Sequence, residues 1–165
     1  MSKVRGLLLL AVALVVGVWL WGRFFPNPEK VIRARLREIS ERASFPANQA
    51  PFAAFSDVQR LCALVSPDVT IQVNAPGAGP RSIEGREDLR QALGIWRSMV
   101  NGAKVEFPDI AVTVAPDKQS AEVMLTVKAR VPTEPDSIYE EMKVAFRKLD
   151  GNWLLTHAET VRMLR

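Results

Sequence analysis

Hydrophobic and polar positions follow three different rhythms along this chain. Residues 6–22, GLLLLAVALVVGVWLWG, carry no charge between Arg5 and Arg23. From Pro28 the period becomes helical: Ile32, Leu36, Ile39 and Ala43 recur at i, i+4, i+7 and i+11, with Asn27 placed to cap and Pro28 suited to a first helical position. The stretch SFPANQAPFAAF breaks that pattern. A second helix is predicted to start near Ser56 or Asp57, to turn Val58, Leu61, Cys62 and Val65 inward, and to stop at Pro67. DVTIQVN then alternates as a strand and APGAGPRS reads as a turn-rich loop with a short strand. A third helix, GREDLRQALGIWRSMVNG, buries Leu89, Leu93, Trp96 and Val100 and ends at Gly102.

The remainder has a period of two. KVEFPDIAVTVAP predicts a strand with an edge or bulge at Pro108. In AEVMLTVKARV the residues Ala121, Val123, Leu125, Val127, Ala129 and Val131 point one way, and SIYEEMKVAFRKL puts Met142, Val144 and Phe146 on one face. Asp150-Gly151 turns the chain into NWLLTHAETVRML. Helices gathered on one face of a curved antiparallel sheet make an α+β domain over residues 26–165.

The apolar run sets the location. At a rise of about 1.5 Å per residue it is about 26 Å long as a helix, close to a hydrocarbon core of about 30 Å. Leaving its twelve Leu, Val and Trp side chains in water would cost roughly 1.5–3 kcal/mol each. Residues 1–25 are therefore expected to be a transmembrane anchor, with Trp19 and Trp21 in the aromatic belt. A cleaved signal peptide is the rival reading, but the run ends in Leu-Trp-Gly, and its one Ala-x-Ala lies inside the apolar stretch. Lys3 and Arg5 favour an inward N-terminus. Arg23, Lys30, Arg33, Arg35 and Arg37 count the other way, yet most belong to the first amphipathic helix. The expected site is a bacterial-type inner membrane, single pass, with a periplasmic domain.

Charge and composition remove several classes of function. A net charge of +4 without a Lys/Arg block or aromatic platform argues against nucleic acid as a partner. With one cysteine, Cys62, and one histidine, His157, neither a disulfide framework nor a protein-only metal cage can be built, and no cofactor motif is present.

This order of elements, together with SPDVTIQV…IEGREDLRQAL and LDGNWLLTHAE, resembles the nuclear transport factor 2-like superfamily, most closely its SnoaL-like and ketosteroid-isomerase-like branches. The resemblance implies a sheet curled over the helices into a cone with an apolar pocket. It covers isomerases, cyclases, dehydratases and hydrolases, and also anchored assembly modules without chemistry. It also implies dimers through the outer sheet face, here carrying Thr126, Lys128, Arg130, Glu141 and Lys143. The isomerase pattern requires a carboxylate at the end of the first strand. Val73 or Asn74 stands there, and the sole tyrosine, Tyr139, lies in a late strand. That chemistry is missing.

The histidine remains. A two-residue Asp150-Gly151 turn puts His157 opposite Val144 and Glu159 opposite Met142, on the face of Trp153 and Leu155, so the pair is expected to look into the cone. A His–carboxylate pair there is a candidate general base, with Glu140, Met142, Asn74, Trp96 and Trp153 as candidate pocket residues. The favoured expectation is a non-catalytic binding or assembly module at the membrane, dimeric through the sheet or bound to a membrane protein. A SnoaL-like enzyme acting on a small apolar ligand through His157 and Glu159 is the alternative.

Overall fold

The structure is a computed structural model that describes residues 27–75, 79–132 and 136–161, together with Val12. The expected anchor over residues 6–22 lies outside the described residues. No helix among the described residues is long and apolar enough to cross a membrane.

Three helices, α1 (Pro28–Ala43), α2 (Pro51–Cys62) and α3 (Arg86–Met99), pack with one curved seven-stranded sheet. The strands are β1 (Val65–Ala75), β2 (Gly79–Glu84), β3 (Lys104–Glu106), β4 (Ile110–Val114), β5 (Ser120–Arg130), β6 (Ile138–Leu149) and β7 (Asn152–Thr160). Their order is β2-β1-β7-β6-β5-β3, and β4 also pairs with β5. The α+β class holds, but the sheet is mixed rather than purely antiparallel, because β1 runs parallel to β7. Two strands far apart in sequence, with helices and strands between them, are free to meet in either direction.

Local chemistry sets the boundaries. Asn27 Oδ1 accepts the Glu29 N–H at 3.0 Å, capping α1 where the sequence places the cap. Asn27→Ala should cost about 1 kcal/mol, read as a lowered urea midpoint, and Asn27→Asp should retain it. Helix α2 begins at Pro51, five residues before the expected start. Proline suits that first position, but the helix's early apolar residues, Phe52 and Phe55, are exposed and so belong to no inward stripe. The strand expected over KVEFPDIAVTVAP is split into β3 and β4 around Pro108, which has no N–H to donate, and both halves pair with β5. Gly102 (φ +92°) lies beside the Phe45–Ala103 bridge, where a Cβ would sit 3.0 Å from the Ala47 nitrogen.

The core fills the concave side. Ile32 and Leu36 of α1 meet Val69, Val123, Val144 and Phe146, and all six are buried. Trp153 and Leu155 close the cluster from β7.

Candidate functional site

The β6–β7 hairpin decides where the histidine goes. Asp150 and Gly151 take positive φ, and Leu149 faces Asn152, as the sequence predicts. The register then runs regularly to Phe146 opposite Leu155. There it slips: Ala145 faces His157, Val144 faces Ala158 and Lys143 faces Glu159. Thr156 is the extra residue of a β-bulge, and its Oγ1 donates to the Ala145 carbonyl at 3.2 Å. A one-residue slip exchanges the faces of everything beyond it. His157 and Glu159 therefore point away from the helices, and Ala158 points into the core, where it is buried. This corrects the expected pairing of His157 with Val144 and of Glu159 with Met142.

On the outer face the two side chains stay together. His157 Nε2 lies 3.6 Å from Glu159 Oε2, with the side chains 35 % and 42 % exposed. Lys143 stands beside Glu159 and is held by Glu122 at 2.8 Å. That hydrogen bond and the Glu122 charge raise the lysine above its ordinary range, and Glu159 adds to the effect. Around them lie Lys128 with Glu106 at 3.5 Å, Thr126, Arg130 and Glu141, with Met124 and Tyr139 exposed among them: a mixed, largely polar sheet surface.

The other candidate residues disperse. Asn74 follows Gln72 on the outer rows of β1 rather than facing the cone, and its N–H reaches Thr160 Oγ1 at 3.3 Å. Trp96 stands edge-on against Phe45, with ring centroids 5.3 Å apart. Trp153 is buried core. Met142 and Glu140 do share the inward row of β6, both half-buried. Glu140 is the one carboxylate on the inward rows of the sheet among the described residues. Cys62 is buried, and that burial pushes its thiol up, against the lowering pull of Arg86 and Arg90.

A surface absent from these expectations lies on the helices. Helices α2 and α3 are antiparallel neighbours, and a cleft of about 670 Å³ runs between Ala54, Phe55 and Val58 on one wall and Arg90, Gly94 and Ser98 on the other. A second cleft of about 320 Å³ continues from the shared Ala54, Arg97 and Ser98 past Met99 to Gly102. Phe52 is 84 % exposed, Met99 78 %, Phe55 60 % and Ile95 53 %. Its signal was present in the sequence as apolar residues off the inward stripes, Phe52 with Phe55 and Ile95 with Met99. Arg97 lies under the groove, its side chain 6 % exposed, 3.9 Å from Asp57 and 4.5 Å above the Phe45 ring. Burial pulls this guanidinium down from its usual range, opposed by the Asp57 carboxylate.

Gly94 lines the groove in the middle of α3. A Cβ there would meet no atom within 4 Å. Gly94→Ala should therefore stabilise the domain by about 0.5–1 kcal/mol, measured as a rise in thermal midpoint. No change or a loss would show that the helix interior needs glycine.

Solved structures resemble this arrangement. A crystal structure of a nuclear transport factor 2-like protein with a cystatin-like fold from Novosphingobium aromaticivorans superposes with a TM-score of 0.63 at 16% identity, covering 90% of this chain and 87% of that one. The fold is nuclear transport factor 2-like. A candidate scytalone dehydratase from the same organism matches with a TM-score of 0.61 at 18% identity, over 81% of this chain and 84% of that one. A protein of unknown function with a cystatin-like fold from Nostoc punctiforme gives 0.61 at 15% identity, over 80% and 88%. No protein-family model and no curated protein matches the sequence. At these identities the likeness establishes the nuclear transport factor 2-like fold and leaves activity to the residues.

Proposed function

We propose that this chain is a membrane-anchored binding or assembly module that uses its nuclear transport factor 2-like domain for recognition rather than catalysis. The observation that carries the reading is the bulge at Thr156. It turns the histidine and its carboxylate out of the cone and leaves Glu140 as the one carboxylate on the inward sheet rows among the described residues. A proton-transfer set needs a base, an orienting group and a place for the reacting atom between them. The anchor over residues 6–22 and a periplasmic position complete the proposal, on the strength of the uncharged apolar run.

A second reading rests on the 3.6 Å His157–Glu159 pair and the likeness to a candidate dehydratase. In it, the pair acts on a small ligand lying against the outer sheet face.

Two measurements test the proposal. The full chain should stay in the membrane pellet after a carbonate wash, and its release would remove the anchor. In detergent micelles it should consume nothing from a metabolite extract that the triple variant His157→Ala, Glu159→Gln, Glu140→Gln spares, as followed by mass spectrometry. A compound consumed by the unaltered chain alone would establish catalysis instead.

A further inference from the structure

We propose that the end of the domain around Asn27 docks on the bilayer surface. There Lys118 and Lys148 take the phosphates of phospholipid headgroups at the rim of a cleft of about 930 Å³. The inference rests on the anchor proposed above and states which end of the domain that anchor presents to the lipid.

The tether is short. The uncharged run ends at Gly22 and Asn27 caps α1, so five Cα steps separate them. Fully extended, those steps reach at most about 18 Å. The headgroup layer on one side of a bilayer takes up about 5–8 Å of that reach. A domain of this length has a radius of gyration of about 14 Å, which makes it about 37 Å across. The tether spans only half that width. The far end of the domain therefore cannot turn toward the lipid, and Asn27 stays within about 13 Å of the headgroups.

The fold decides what else lies at that end. Strands β4 and β6 finish beside the start of α1, so the β4–β5 turn and the β6–β7 turn line one cleft with Asn27. The Lys148 N–H donates to the Gln119 carbonyl at 2.8 Å, which ties the two turns together. Strand β5 runs away from them for 11 residues and ends at Arg130, which pairs with Lys104. That length puts Lys104 about 33 Å from the cleft.

Charge then selects the occupant. Lys118 and Lys148 are exposed and pair with no carboxylate among the described residues. Two neighbouring carboxylates are engaged: Glu29 holds Arg33 at 2.9 Å, and Asp117 Oδ1 accepts the Gln119 N–H at 2.9 Å. Arg35, deeper in the cleft, leans on Glu38 at 3.4 Å. Phosphate is the anion that every phospholipid holds at this height, within reach of lysines on a tethered domain. Asp117 and Asp150, in the same two turns, suit the ammonium that an ethanolamine headgroup carries beside its phosphate.

The test uses the full chain in nanodiscs of phosphatidylethanolamine and phosphatidylglycerol, with a nitroxide on a small share of the headgroups. Cys62 is buried, so a fluorophore goes to an introduced cysteine: Gln119→Cys at the cleft, or Lys104→Cys at the far end. The dye at position 119 should be quenched and the dye at position 104 spared. Lys118→Gln and Lys148→Gln should each lower the ratio of docked to undocked domain about fivefold, read as lost quenching at position 119. High salt should do the same. Equal quenching at the two positions, or quenching at 119 that survives the double glutamine variant, would overturn the proposal. So would an unquenched dye at 119 in these protein-free discs, which would leave this end to a protein partner. That result in a chain still held through a carbonate wash would leave the anchor reading intact. Release in carbonate, with position 119 still quenched on unwashed vesicles, would remove the anchor and retain the lipid-facing cleft.

Discussion

Phe146→Ala should destabilise the domain by about 3–5 kcal/mol, the usual cost of deleting a fully buried aromatic side chain. Phe146 is fully buried on β6, paired with Ala121 on β5 and Leu155 on β7, in the same cluster as Ile32 and Leu36 of α1. The alanine loses the transfer free energy of the ring and leaves a cavity that strands on both sides cannot close. Against a typical stability of about 5–15 kcal/mol, that is a third or more of the margin. Urea unfolding followed by tryptophan fluorescence reads it directly. Phe52→Ala provides the contrast. That side chain is 84 % exposed, so the substitution should stay within about 0.5 kcal/mol. Similar costs at the two positions would mean that the core is not where the fold places it.

The contrast between these two phenylalanines also explains what the sequence could reveal. Helix α1 is legible to the residue because Asn27, Pro28 and the Ile32–Leu36–Ile39 stripe all agree. The hairpin turn is legible because Asp-Gly at two residues admits few alternatives. Periodicity places the start of α2 too late, since Phe52 and Phe55 are exposed and belong to no inward stripe. Hydrophobic periodicity equates apolar with inward, and it fails where apolar side chains stay exposed. The parallel β1–β7 pairing leaves no local mark at all, because its two strands are joined only through the rest of the domain.

The bulge lies between these cases. Unbroken alternation through TrpLeuLeuThrHisAlaGluThr keeps His157 with Trp153 and Leu155, but it also sends Glu159 inward and Ala158 outward. That inversion of polarity is the signal that the period shifts after Leu155. Only the inward placement of His157 and Glu159 follows from carrying a regular strand past Leu155; the two side chains themselves stay 3.6 Å apart.

Paired substitutions on either side of the bulge test this register. Ala158→Asp should cost about 3–5 kcal/mol or more, because it overfills a buried site next to Val144 and Ile71 and places a carboxylate there without a partner. His157→Asp should cost no more than about 1 kcal/mol, from lost pairing and repulsion by Glu159 on a half-exposed face. The intrinsic preference of aspartate against strands is common to both and cancels in the comparison. The carboxyl introduced by Ala158→Asp would be buried and so raised above its unfolded value of about 3.9. The Ala158→Asp penalty should therefore grow as pH rises through that value and shrink as pH falls towards it. Deleting Thr156 should keep His157 outward, since removing the extra residue restores a regular ladder with Ala145 still facing His157. If His157→Asp proved the more damaging of the pair, the strand would run without its bulge, and the imidazole would return to the wall of the cone.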